Sequence, residues 1–95
     1  MLQFSHDSIF EGDKVIVSWE DDVEPVLFSD LPIGVSMLEI QSHIDEYQIM
    51  SNIYFNLSFY NLDALDIKEQ HQVIKQAVRD GVKKWVNDFL AQMCF

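Results

Sequence analysis

Three observations predict an α+β domain over residues 1–95, with a small antiparallel sheet of three to four strands packed on one face by two helices. Residues 14–20 alternate in polarity and are rich in β-branched side chains, the pattern of a half-buried strand. Ile67, Ile74, Val78, Gly81, Trp85 and Phe89 fall on one stripe at about 100° per residue, the period of an amphipathic helix. Ser36 with Glu39, and Asp66 with Glu69, match the capping box, in which two side chains satisfy orphan backbone N–H groups of a first helical turn.

The elements follow in the order β-β-β-α-β-α. Residues 2–5 form a short first strand, and residues 9–13 turn the chain at Gly12, which tolerates positive φ. In the strand at 14–20, Val15, Val17 and Trp19 share one face. Glu20, Asp21, Asp22 and Glu24 then form a charged turn, and residues 26–28 are the return strand, with Pro25 at its start or on an edge. A loop leads to a helix from Ser36 to about Gln48, with Met37, Ile40, Ile44 and Tyr47 on its apolar face. Residues 52–60, NIYFNLSFY, read as the clearest strand. There Ile53, Phe55, Leu57 and Phe59 point to the core, while Asn52, Tyr54, Asn56, Ser58 and Tyr60 point outward. Residues 67–94 as one helix would span about 42 Å, longer than the roughly 32 Å diameter of a 95-residue sphere. A kink or break near Gly81, or a helix end that projects and pairs with another chain, is therefore expected.

Composition narrows the classes of function. The chain is 48% hydrophobic and 13% aromatic, enough for a real core. No apolar run reaches the roughly 18 residues of a membrane span, and the first residues lack a secretory pattern. Cys94 is the sole cysteine and has no internal disulfide partner, so a cytoplasmic protein is expected. Six bases against 16 acids give a net charge of −10, which disfavours nucleic acid and anionic membranes and favours basic proteins. Charge is also uneven. Residues 1–66 hold 13 acids and one base, Lys14, whereas residues 67–95 hold five bases and three acids.

Chemistry-bearing motifs are sparse. The run from Glu20 to Glu24 has neither the ligand spacing nor the glycine of a calcium loop. His6, His43 and His71 lack zinc-ligand spacing, and no serine sits in a nucleophile motif. No catalytic residue, metal or cofactor is expected. The expected partner-binding residues are Glu20, Asp21, Asp22 and Glu24, whose carboxylates can occupy the Lys and Arg groups that a protein uses to hold phosphates. Tyr54 and Tyr60 join them, because tyrosine among small polar groups suits a contact surface. The expected role is a small non-enzymatic inhibitor that masks a basic, nucleic-acid-handling protein by charge, in the manner of phage anti-CRISPR, anti-restriction or immunity proteins. The alternative is a structural or assembly module that forms a homodimer through Trp85, Phe89 and Met93 on the C-terminal helix.

Overall fold

Gly12 adopts φ +61°, and with Asp13 it closes a two-residue hairpin between Ser8–Glu11 (β2) and Lys14–Ser18 (β3). Leu2–Phe4 (β1) pairs antiparallel on the other side of β2, giving a sheet in the order β1-β2-β3. The computed structural model describes residues 2–29 and 37–93, excluding the side chains of Met37 and Met93. The expected antiparallel sheet is present, but its middle strand occupies residues 8–11, where a turn was expected.

Alternation along β3 is broken by a bulge. Ile9 faces Val17 and Phe10 faces Val15, so Ile16 is the extra residue. Val17 is fully buried, Ile16 packs against the core, and Val15 is turned out at 55% exposure. The expected common face for Val15, Val17 and Trp19 is therefore wrong at Val15. A bulged edge strand that begins with Lys14 is also a poor template for further strand pairing.

The acidic run is helical and is not a hairpin turn. Trp19–Val23 form a π-helical turn that leads directly into Glu24–Ser29 (α1), so the expected return strand at 26–28 is a helix. Ser18 caps this start: its Oγ accepts from the Asp21 N–H at 3.3 Å, and Asp22 Oδ2 accepts from the Ser18 N–H at 2.8 Å. Carboxylates in a first helical turn face the positive end of the peptide dipoles, so Glu20, Asp21 and Asp22 stand where helix starts favour them. Pro25 sits in the first turn of α1, a position that tolerates its missing N–H.

Met37–Gln41 (α2) and Glu46–Leu57 (α3) replace the single helix expected over 36–48; Ser36, its expected cap, lies outside the described residues. Asp45 caps α3 by accepting from the Gln48 N–H at 3.1 Å. The expected strand at 52–60 is thus the second half of α3 and the residues after it. Ile49, Met50, Ile53 and Leu57 are its buried face, whereas Phe55 and Phe59 stand out at 62% and 72% exposure, edge to face at 5.0 Å.

After a single 3-10 turn at Leu62–Ala64, Ile67–Met93 (α4) runs unbroken through Gly81. Asp66 accepts from the Glu69 N–H at 2.8 Å, as its capping pattern predicted. The expected kink assumed a sphere, but the molecule measures 44 × 21 × 21 Å and a 27-residue helix of about 40 Å fits along it. Gly81 instead admits α3. A Cβ there would lie 2.6 Å from Ile53 Cγ1 and 3.0 Å from the Ile53 backbone nitrogen. The two helices run antiparallel at this crossing. Asn52 Nδ2 donates to the Gly81 carbonyl at 3.4 Å, and Asn56 Nδ2 donates to the Ala77 carbonyl at 3.2 Å. Val78, Val82, Trp85 and Val86 continue the buried stripe, and Ile67, expected on it, is exposed.

Candidate functional surface

The four N-terminal carboxylates lie together but differ in their surroundings. Asp22 is half-buried and committed to Ser18, its Oδ2 bonding both the backbone N–H and, at 3.5 Å, the hydroxyl. Glu20 and Asp21 are exposed, with no side-chain bond among the described residues. Glu24 is half-buried at the start of α1. Of the four, Asp22 alone would have to give up a local bond to meet a partner, and Glu20 and Asp21 are the two that are fully exposed.

Tyr54 and Tyr60 do not share a strand face; they line one cleft from a helix and from the segment after it. The Tyr54 hydroxyl donates to the Leu2 carbonyl at 3.3 Å, and its ring lies against Phe4 with centroids 4.7 Å apart and planes tilted by 34°. That cleft, about 300 Å³, is also walled by Glu11 and Asp63. A second cleft of about 300 Å³ shares Glu11, Leu62 and Asp63 with it and continues between β3 and α4 past Lys14 and His71. A third, of about 420 Å³, shares Ile16, His71 and Ile74 with the second and ends at Asp21, Asp22 and Lys75. Tyr54 and Tyr60 thus stand at one end of a furrow beside the open edge of the sheet and Asp21 and Asp22 at the other, while Glu20 and Glu24 do not line it.

Four carboxylates, Glu11, Asp21, Asp22 and Asp63, line this furrow beside Lys14 and Lys75, and none of the four has an ion pair among the described residues. Of the 16 Asp and Glu residues, all but Asp30 are described, and only Asp7 and Asp88 have a basic group within 4.0 Å, namely His6 and Lys84. Lys68, Lys75, Arg79 and Lys83 are exposed along α4, so the basic stripe faces solvent. Glu11, Asp63 and His71 were not expected to line a site. No local motif marks them, because their positions depend on how α4 lies against the sheet.

The expected dimer residues are placed differently. Trp85 is 7% exposed and belongs to the chain's own core, with Phe89 stacked on it at 5.5 Å. Phe89 also meets the His43 ring at 5.3 Å, and the Met93 side chain lies outside the described residues. Among the described residues, no group of three or more His, Cys, Asp or Glu is arranged to hold a metal ion, and no helix is long and apolar enough to cross a membrane. No protein-family model, curated protein or solved structure matches this chain.

Proposed function

We propose that this protein is a non-enzymatic binding protein that masks a basic protein partner, of the kind that handles nucleic acids, by occupying its Lys and Arg side chains with carboxylates. The observation that carries this reading is the unpaired state of the acids, above all Glu11 and Asp63 at one end of the furrow and Asp21 at the other, with Glu20 exposed beside Asp21 in the chain. One-signed surface charge raises the free energy of the folded chain through self-repulsion, and a cationic partner relieves it. The same charge repels phosphate backbones, so the contact is with the protein that holds nucleic acid rather than with nucleic acid itself. Occlusion needs no catalytic group.

The test begins with partners captured from cells of the source organism and identified by mass spectrometry. Affinity for the purified partner is then measured between about 0.1 M and 1 M salt, where the Debye length falls from about 10 Å to about 3 Å. Binding should weaken steeply with salt, and the Glu20→Lys/Asp21→Lys variant should lose it. Affinity indifferent to both changes would remove the charge-masking reading. Asp22 is left untouched in this variant because its loss would also uncap Ser18.

A further inference from the structure

The cleft between Glu11 and Asp63, we propose, is a receptor for one arginine side chain of the basic partner. This inference rests on the masking function and specifies a single contact within it. Its walls come from distant parts of the chain: Glu11 from β2, Tyr54 from α3, Tyr60 from the segment after α3, and Asp63 from the 3-10 turn. At about 300 Å³ the cleft stands at the small end of ligand sites, which run from about 300 to 1,000 Å³, and so suits a side chain better than a cofactor.

The lining selects the kind of side chain. Two carboxylates accept hydrogen bonds and carry charge, and two aromatic residues, Tyr54 and the exposed Tyr60, line the same cleft. A guanidinium uses both at once, since it is planar, permanently charged, able to bond a carboxylate with two parallel N–H groups, and apt to stack on an aromatic face. An ammonium uses only the charge. Among the described residues, neither Glu11 nor Asp63 makes a side-chain hydrogen bond or ion pair. Lys14, opposite Glu11 in the hairpin, lines the neighbouring cleft that shares Glu11 and Asp63 with this one, and it is ion-paired to neither carboxylate.

The walls are also held in place before any ligand arrives, which lowers the ordering cost of binding. Glu11 belongs to the central strand, paired to Leu2 on one side and Lys14 on the other. Tyr54 is fixed by its bond to the Leu2 carbonyl and by Phe4. The turn that carries Asp63 is anchored by Gln70, whose Nε2 donates to the Leu62 and Leu65 carbonyls at 2.6 and 3.0 Å.

The experiment is a ¹H–¹⁵N NMR titration with acetyl-Gly-Arg-Gly-amide, alongside the lysine and the neutral citrulline tripeptides. The arginine peptide should give saturable shifts at the amides of Glu11, Tyr60, Asn61 and Asp63. Because bonds to charged groups are about twice as strong as neutral ones, the Glu11→Gln/Asp63→Asn variant should bind it about tenfold more weakly or worse, with an otherwise unchanged spectrum. The lysine peptide should bind several-fold more weakly, and the citrulline peptide should leave these amides unmoved. No shifts in the cleft, equal shifts with citrulline, or full binding by the double variant would each overturn the proposal. A partner that still binds in a salt-dependent manner while the arginine peptide ignores the cleft would remove this receptor and spare the masking function.

Discussion

The start of α1 and the crossing of α3 with α4 are held by opposite means. At the first, polar groups are satisfied within four residues, by Ser18 with Asp21 and Asp22. At the second, the partners are far apart in sequence, with Asn52 reaching Gly81 across 29 positions and Asn56 reaching Ala77 across 21. Around Ser18 the side chains stay partly in solvent, so charge can vary there with little strain. At the crossing, Ile53 is fully buried against a glycine and shape allows almost no variation. An exposed charged surface and a buried spine for stability are thus separated within one small chain.

The largest break in this contrast is Ile53→Ala, which removes a buried branched side chain and leaves a cavity at the crossing. It should cost about 3 kcal/mol, read as a lower urea midpoint with an unchanged slope. Gly81→Ala comes next. In an exposed helix this change gains about 1 kcal/mol, but here the new methyl meets the Ile53 side chain and backbone nitrogen. A net loss of about 1–2 kcal/mol is expected from overpacking. The double variant sharpens the point, since deleting the Ile53 side chain makes room for the new methyl. Its loss should fall short of the sum of the two single losses by at least about 0.5 kcal/mol. Strict additivity would place the strain of Gly81→Ala on something other than the Ile53 side chain, such as the Ile53 backbone.

At the other region the effects are smaller. Ser18→Ala removes the cap of the π-helical turn and should cost about 1 kcal/mol in the same denaturation measurement. Glu20→Lys/Asp21→Lys loses two favourable charges at a helix start but lowers the net negative charge, so it should cost no more than about 1 kcal/mol while abolishing partner binding. A large loss of stability in that variant would mean the two carboxylates serve the fold.

Legibility in the sequence follows the same division. The cap at Asp66, the strand expected over 14–20 and found over 14–18, and the amphipathic C-terminal helix rest on local pattern and are present. The acidic run misled because its density drew attention from other signals. Ser18 followed by acids, with Pro25 in the next turn, is also the pattern of a helix start. Residues 52–60 misled for a geometric reason. Ile53 and Leu57 are four apart, a spacing that serves period two and period 3.6 alike, and ending the preceding helix at Gln48 hid Ile49 and Met50. Phe55 and Phe59 are the deciding pair: a strand buries them and the helix exposes them. The furrow was not readable, since Glu11, Tyr54, Tyr60 and Asp63 meet only after α3 and α4 dock.

By itself the sequence determined the charge of the chain, its lack of catalytic spacing, and those elements whose hydrogen bonds close within a few residues. Tertiary structure alone decided whether the alternating run at 52–60 became helix or strand, that α4 passes straight through Gly81, and which carboxylates share a cleft. The physical reason is range. Caps and tight turns satisfy polar groups between near neighbours, whereas burying Ile53 and assembling the Glu11–Asp63 cleft depend on surfaces that meet only when distant segments pack.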